Sequence, residues 1–250
     1  MNPTTDTSPA GTRENAQFTT THWNVVLAAG GPESPEARQA LERLCQSYWY
    51  PLYAYLRRNG KSEADAKDLT QGFFSLLLQG NDLGQVQRVK GKFRSFLLAS
   101  LNNFLCDVWD KVNAQKRGGG ETILSLDDFT GEDRYHLEPA DVMDPEKLYE
   151  RRWAMTVLDQ AWLRLQEEFT QAGNSVLFER LKDRVAGEKN DPTYAQIAAE
   201  LQRAEGTIKS DVHRMRERFR ELVREEVANT VSSPEEVNEE LRHLFRVFSR

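Results

Sequence analysis

Apolar side chains recur every three or four residues along most of this chain, which is the period of an amphipathic helix. The pattern runs from Ala37 to Arg58, where Pro51 predicts a kink or a break, and again from Ser62 to Leu78 and from Lys92 to Lys116. Helical spacing returns after Pro145 and continues in several shorter segments. The sequence therefore predicts an all-α fold.

Glycine, proline and acidic residues divide this helical pattern into parts. Residues 118–144 begin with three glycines and continue with an excess of acids, so we predict a flexible acidic linker between two small helical domains. These domains are placed at 18–117 and 145–228. The polar segment 1–17 has the composition of a disordered tail, and a helical extension is predicted over 229–250.

The second predicted domain contains a pattern typical of a helix-turn-helix. Thr193 can cap a short helix from Tyr194 to Leu201. After a turn, a longer helix carries an apolar stripe and leaves a polar, cationic side that suits the major groove of DNA. An ordinary helical hairpin with solvated basic residues would show the same pattern. The stripe consists of Ile208, Val212, Met215 and Phe219.

The distribution of charge favours a nucleic-acid partner, although the net charge of −6 by itself does not. Between Arg88 and Arg117, seven basic residues stand against two acidic ones, and between Arg203 and Arg220 six stand against three. The intervening stretch 121–150 has ten acidic and two basic residues. Two basic segments separated by an acidic one indicate two DNA-contacting modules, unless both are merely solvated helix faces.

Several other classes of function find no support in the sequence. Cys45 and Cys106 are far apart and suggest neither a metal site nor a disulfide framework, which favours a reducing, cytoplasmic compartment. No apolar segment is long enough for a membrane span, and the N-terminal segment lacks the apolar core of a signal peptide. The four histidines are isolated in sequence, so we predict no catalytic set, no metal and no cofactor.

Three motifs in a fixed order carry a resemblance to a known family. They are Ala64-Asp-Ala-Lys-Asp-Leu-Thr-Gln-Gly-Phe-Phe74, then Gly91-Lys-Phe-Arg-Ser-Phe-Leu-Leu98, and then Tyr194-Ala-Gln-Ile-Ala-Ala-Glu-Leu201 with Gly206-Thr-Ile-Lys-Ser210 and His213-Arg-Met-Arg216. Together they resemble the extracytoplasmic-function sigma factors of bacterial RNA polymerase, over about residues 37–117 and 146–226. The run Tyr48-Trp-Tyr-Pro-Leu-Tyr53 is similar to a subgroup abundant in planctomycetes.

The resemblance implies a non-enzymatic subunit that recognises and melts promoters. Its partners would be the clamp of core RNA polymerase and promoter DNA. An anti-sigma factor or another regulator would be a further partner. The residues that would bind core polymerase are Asp68, Gln71 and Phe74. Those that would bind the upstream promoter element are Thr207, Lys209, Ser210, Asp211, Arg214 and Arg216. Those that would bind and open the downstream element are Lys92, Phe93, Arg94, Asn103, Trp109, Lys111, Lys116 and Arg117.

Aromatic side chains among the cations of the first domain suit bases that have left the duplex stack. Phe93, Phe96 and Trp109 are the candidates, although Phe96 and Trp109 would equally serve as core residues.

The sequence also departs from the family pattern. Gln202 stands where a turn glycine is usual, Ala204 where a serine caps the second helix, and Gly72 lies inside the core-binding helix. Asp211 occupies a position where a basic residue is common, and it could accept a hydrogen bond from a cytosine amine or simply exclude competing sites. These departures bear on promoter choice and on binding strength.

Two other classes of protein stay open as alternatives. A helix-turn-helix repressor or activator would bind DNA without core polymerase, but it has no reason to carry the segment with Asp68, Gln71 and Phe74. A nuclease or recombinase would need clustered carboxylates in a basic groove. Asp107 and Asp110 are the only candidates, and their spacing is more typical of charges on a helix surface.

The C-terminal extension is predicted to form one more amphipathic helix. Ser233 is the expected cap, and Pro234 would be the first helical residue. Such a short helix is stable in water only if its apolar face is buried. We therefore expect it to fold back on the second predicted domain (145–228), the promoter-binding domain of the resemblance, either as a regulatory latch or as a structural brace. The predicted apolar face comprises Val237, Leu241, Leu244, Phe245 and Phe248.

Overall fold

The computed structural model describes residues 22–29, 34–79, 92–115, 135, 144–187 and 192–249, with only the backbone at 24, 27–29 and 111–115. All regular structure within these ranges is helical, so the predicted all-α class is confirmed. None of the helices described there combines the length and the apolar character that a membrane span requires. The predicted tail over 1–17 and almost all of the predicted linker lie outside the described residues. The helices are α1 (His22–Ala29), α2 (Pro35–Arg58), α3 (Glu63–Leu78), α4 (Phe93–Gln115), α5 (Pro145–Gln171), α6 (Ser175–Ala186), α7 (Tyr194–Glu200), α8 (Glu205–Ala228) and α9 (Pro234–Phe248).

Local signals account for several helix ends. The Ser62 hydroxyl accepts a hydrogen bond from the backbone of Asp65 at 3.1 Å and so caps α3 as predicted. A reciprocal capping box between Thr193 and Gln196 begins α7. Gly60, at φ +80°, follows the end of α2 in the left-handed conformation that glycine tolerates best. At Pro51, by contrast, α2 continues without the break that the proline suggested.

The described residues form two compact units whose bounds differ from the predicted domains. One unit comprises Met1–Ala154 together with Val227–Arg250, and the other comprises Met155–Glu226. The first turns of α5 and the C-terminal extension thus belong to the first unit. The reason is burial, because Tyr149 and Trp153 near the start of α5 are almost completely shielded from water.

The core of the first unit is built around aromatic rings from three helices. The ring centroid of Trp23 in α1 lies 4.8 Å from that of Phe93 and 5.3 Å from that of Phe96, both in α4. The ring centroid of Tyr48 in α2 lies 5.0 Å from that of Phe93. Aromatic pairs in tilted and edge-on arrangements add to the burial of large apolar areas, so this cluster fixes the start of α4.

The C-terminal extension packs within this first unit, which corrects the expectation that it folds onto the promoter-binding domain. Just before α9, the carbonyl of Thr230 accepts a hydrogen bond from the backbone of Phe93 at 2.8 Å. The helix starts at Pro234 as predicted, but Ser233 makes no side-chain capping bond. The expected apolar face is also only partly buried, since Phe245 is 61% exposed.

The second unit has its own core, formed by α6, α7 and the parts of α5 and α8 that belong to it. Trp162 lies between Phe178 at 5.5 Å and Phe219 at 5.4 Å, measured between ring centroids. At the surface, the Arg218 guanidinium donates two hydrogen bonds to the Glu168 carboxylate, at 2.8 and 2.9 Å. These contacts hold α5, α6 and α8 together.

Candidate nucleic-acid and polymerase interfaces

The start of α8 presents polar side chains on one side and buries an apolar stripe on the other. Ile208, Val212 and Met215 of the predicted stripe are buried, whereas its fourth member, Phe219, is half-buried. Thr207 and Arg214 are exposed. The predicted division of α8 into a core face and a solvent face is therefore confirmed at these positions.

Near the start of α8, Lys209 and Ser210 each bond to the preceding turn of the helix, and the Lys209 ammonium also lies 5.7 Å from the ring centroid of Tyr194 in α7. The Lys209 ammonium lies 2.7 Å from the Glu205 carboxylate one turn earlier, and this hydrogen bond raises the pKa of Lys209. The Ser210 hydroxyl donates to the carbonyl of Gly206 at 3.0 Å. Exposed ion pairs of this kind contribute little to stability, so Lys209 can exchange its carboxylate for a phosphate oxygen at little cost.

Two of the predicted base-contacting residues have other partners in the structure. Asp211 is only 9% exposed and accepts hydrogen bonds from Arg203 and Arg214, so its carboxylate already binds two cations and is largely shielded, which disfavours the predicted contact with a cytosine amine. Arg216 donates to the backbone carbonyl of Arg184 near the end of α6. It therefore joins α6 to α8 and does not point outward as predicted.

In the turn before α8, Gln202 adopts a left-handed backbone conformation, which explains why the family usually has a glycine at this position. Gln202 has φ +52°, the left-handed region that costs a residue with a Cβ about 1–2 kcal/mol. Its side chain is exposed, so a substitution there removes no buried contact. We expect Gln202→Gly to raise the free energy of unfolding by about 0.5–1 kcal/mol, as measured by urea denaturation of the full chain. Gln202→Ala is the matched control and should give no gain; equal stability of the two variants would contradict the assigned conformation.

The three predicted core-binding residues on α3 differ in accessibility. Asp68 is exposed, whereas Gln71 is 8% exposed and Phe74 is buried against Phe73, with ring centroids 5.4 Å apart. Of the three, Asp68 alone offers its side chain to a partner. Phe74 instead helps to anchor α3 in the first unit, so its predicted contact with polymerase is incompatible with this packing.

At the start of α4, two predicted DNA contacts are part of a cluster of ions inside the first unit. The Arg94 guanidinium donates to both oxygens of Glu240 and, at 3.0 Å, to Glu150. The Lys92 ammonium lies 3.0 Å from the Glu240 carboxylate and 3.1 Å from that of Glu239. We call these five residues the Arg94–Glu240 cluster. It leaves Arg94 only 8% exposed, so the predicted phosphate contact is not available to it.

Hydrogen bonding stabilises the charge of Arg94 despite its burial. Loss of water lowers the pKa of Arg94, but the hydrogen bonds and the charge of Glu240 outweigh this effect, and the pKa is raised overall. The guanidinium also lies over the ring of Trp153, with the carbon 5.2 Å from the ring centroid. Tyr149 donates its hydroxyl to the Arg94 carbonyl at 2.9 Å. Arg94 thus joins α4, α5 and α9.

Further along α4, the aromatic candidates separate into a core residue and a surface residue. Phe96 is buried, as its alternative interpretation required, while Trp109 is 67% exposed, so the core interpretation is wrong for Trp109. Asn103 is exposed as well. Phe93, predicted to stack on bases, is completely buried and is a core residue. The side chain of Lys111 and both Lys116 and Arg117 lie outside the described residues.

Asp107 and Asp110 are exposed on α4. Among the described residues, they join no group of acidic, histidine or cysteine side chains that could hold a metal ion. The structure therefore adds no feature that favours metal-dependent nuclease chemistry at these two carboxylates.

Two residues that bind predicted site residues were missed in the sequence. Glu240 is fully buried and Arg203 shares the Asp211 carboxylate. A signal for Glu240 was available, because it lies three residues after Val237 and four before Leu244, on the buried side of α9. An acid at such a position needs a cationic partner inside the protein.

Comparison of the chain with protein-family models, with curated proteins and with solved structures found no match. The functional assignment therefore depends on the motifs in the sequence and on the contacts described above.

Proposed function

We propose that this protein is a sigma factor of the extracytoplasmic-function type, which directs bacterial RNA polymerase to promoters. The observation that carries the proposal is the start of α8, where exposed polar and basic side chains lie opposite a buried stripe, in the segment whose sequence resembles the family. In this function the chain is cytoplasmic and does not itself catalyse a reaction, since RNA synthesis belongs to the polymerase core.

In the proposed function, α7 and α8 form a helix-turn-helix that reads the upstream promoter element. Arg214 is 74% exposed and Lys209 is 57% exposed, which leaves both cations accessible to a major groove. Lys209 supplies charge toward phosphates, while Arg214 has the donor geometry for a guanine. Arg216 contributes indirectly, because its bond to α6 supports the helix that carries both.

Promoter opening is assigned to the exposed side of α4. Trp109 offers an aromatic face to an unstacked base, and Asn103 offers an amide that can pair with a base edge. Phe93 and Arg94 do not contact DNA in this proposal; their contacts fix the start of α4 and so support the helix that carries Trp109 and Asn103. The contacts to DNA in this segment are therefore assigned to its middle and not to its first turn.

A regulator that binds DNA without core polymerase is the second candidate. The observation that favours it is the burial of Gln71 and Phe74, which leaves Asp68 as the exposed member of the proposed core-binding motif. Both candidates require sequence-specific DNA binding by α8, so binding to core polymerase is what separates them.

Replacement of Asp68 tests the proposed function directly. Reversal of this exposed charge in Asp68→Arg should lower affinity for core RNA polymerase at least about tenfold, because a cation then replaces the acid at the contact. Gel filtration with core polymerase from the source bacterium measures the complex, and promoter-dependent transcription in vitro measures its function. Thermal unfolding should be unchanged, since the side chain is exposed.

The matched control is Glu63→Arg, which reverses an exposed acid in the first turn of the same helix on another face. It should bind core polymerase as the wild type does. If Asp68→Arg also forms the complex normally, Asp68 is not part of the contact. If the wild-type protein selects a DNA sequence but never binds core polymerase, the second candidate is correct.

A further inference from the structure

Asp211 occupies an unusual position on α8. It lies three residues after Ile208 and four before Met215, so it belongs to the buried side of the helix, and its side chain is 9% exposed. One carboxylate oxygen accepts a hydrogen bond from the Arg203 guanidinium at 3.3 Å. The other accepts from the Arg214 guanidinium, one turn further along the helix. A buried acid is thus held between a cation from the turn and a cation from the exposed face.

The two arginines that bind this carboxylate differ in their position and in the exposure of their side chains. Arg203 lies in the turn before α8, with a side chain that is 44% exposed. Arg214 projects from the polar side of α8, and its side chain is 74% exposed although one of its nitrogens is bound to Asp211. A guanidinium has five N–H donors, so the contact with Asp211 leaves others to face a ligand.

The contact restricts the orientation of Arg214. A long, exposed arginine ordinarily samples many rotamers, and fixing one of them costs conformational entropy when a base is bound. A charge-assisted bond to a buried, immobile carboxylate selects one orientation in advance. Lys209 lacks a buried counter-ion of this kind, because its carboxylate partner Glu205 is itself exposed and its other contact is with the Tyr194 ring.

We propose that Asp211 is a positioning residue that fixes the Arg214 guanidinium for bidentate recognition of one guanine. This inference rests on the proposed DNA-binding function of α8, and it replaces direct base contact by Asp211. In this arrangement Asp211 determines sequence preference at the base that Arg214 reads, without touching the DNA. It also places a negative charge near the phosphates, which disfavours binding to unrelated sequences.

A comparison of four variants separates this role from a merely structural one. Asp211→Asn keeps the shape of the side chain but removes the charge that holds both arginines. Glu205→Gln removes an acid from the same helix and frees Lys209 without touching Arg214, and so controls for a gain in positive charge that does not depend on DNA sequence. Arg203→Gln removes the other cation that binds this carboxylate, and so controls for a loss of stability around Asp211. Arg214→Ala removes the proposed reader itself.

Selected-site sequencing with the full chain gives base preference at each position, and fluorescence anisotropy gives affinity for the selected site and for unrelated DNA. We expect Asp211→Asn to lower the preference at one base position by about fivefold or more, at the same position as Arg214→Ala. Binding to unrelated DNA should rise as much as in Glu205→Gln. Arg203→Gln should keep the wild-type preference, and the double variant Asp211→Asn/Arg214→Ala should match Arg214→Ala alone.

The inference is overturned if Asp211→Asn and Glu205→Gln give the same base preferences, or if Asp211→Asn weakens all sequences equally. It is also overturned if the double variant loses further specificity beyond Arg214→Ala. Failure of the wild-type protein to select any DNA sequence overturns the proposed function instead. Thermal unfolding of each variant shows whether Asp211→Asn is folded; if it is not, Asp211→Glu must shift the preference at the Arg214 position alone for the inference to stand.

Discussion

Glu240→Ala is expected to destabilise the first unit by about 3–5 kcal/mol, because it leaves buried cations without their counter-ion. Glu240 is fully shielded from water, and its carboxylate bonds to Arg94 and Lys92. Arg94 keeps Glu150 as a second partner, but that carboxylate is partly exposed and bonds only one of its nitrogens. The first turn of α4 and the helix α9 should therefore loosen together.

Thermal or urea unfolding monitored by circular dichroism measures this loss, and Glu239→Ala is the matched control. Glu239 is the preceding residue on α9, also contacts Lys92, but has a side chain that is 64% exposed. Its removal should leave the unfolding midpoint unchanged, because an exposed pair in water adds little. If the two variants unfold alike, the Arg94–Glu240 cluster does not stabilise the protein in solution.

The position of α9 bears on the two roles predicted for the C-terminal extension. Val237 and Leu244 are buried in the first unit together with Glu240, and the segment before the helix bonds to the backbone of Phe93. Contacts of this kind support the structural brace. They also explain why the basic side chains at the start of α4 are unsuited to phosphate binding, since the extension already supplies their anions.

Periodicity and capping signals in the sequence were enough to predict most helices. The bounds of α3 follow from Ser62 and from the turn after Leu78, and α7 begins at the capping residue Thr193. α1 was not predicted, because it has only eight residues and its described buried side chains are Trp23 and Val26. So short a segment shows no period of its own, and its stability comes from packing against α2 and α4.

The candidate sites were harder to predict because partners distant in sequence decide which charges are free. Arg94 and Glu240 are separated by 146 positions, and no local pattern marks them as a pair. Asp211 and Glu240 nevertheless share a signal, since each lies on the buried side of an amphipathic helix, where an unpaired acid would be costly. Acids at such positions indicate which nearby arginines and lysines are already neutralised.

The predicted domain boundaries followed composition, whereas the compact units follow contacts. Proline and the end of the acidic stretch suggested that a domain begins at 145, but Tyr149 and Trp153 complete the core of the first unit. The Tyr149 hydroxyl bonds to the Arg94 carbonyl, and the Trp153 ring lies against the Arg94 guanidinium. Because the boundary between the two units falls inside α5, no change in amino-acid composition indicates where it lies.

Phe93 and Trp109 of α4 were both predicted to stack on melted bases. We expect truncation of Phe93 to lower stability and truncation of Trp109 to impair promoter opening. Phe93→Ala should cost about 3–5 kcal/mol of stability, because it removes a completely buried ring that contacts Trp23 and Tyr48. Trp109→Ala should change stability by no more than about 0.5 kcal/mol, since Trp109 is largely exposed. The loss in Trp109→Ala should instead appear in promoter opening, because stacking acts only once bases have left the duplex.

Permanganate footprinting of the proposed polymerase complex measures the open promoter, and a template with a pre-melted bubble measures DNA binding without opening. Trp109→Ala should reduce reactivity on the duplex template and recover on the bubble, with an unfolding midpoint like that of the wild type. Phe93→Ala should lose activity on both templates and unfold at a lower temperature, because the start of α4 is no longer fixed. If Trp109→Ala is equally impaired on both templates while folded, the ring does not act in melting. If Phe93→Ala keeps the stability of the wild type, the aromatic cluster does not form the core of the first unit.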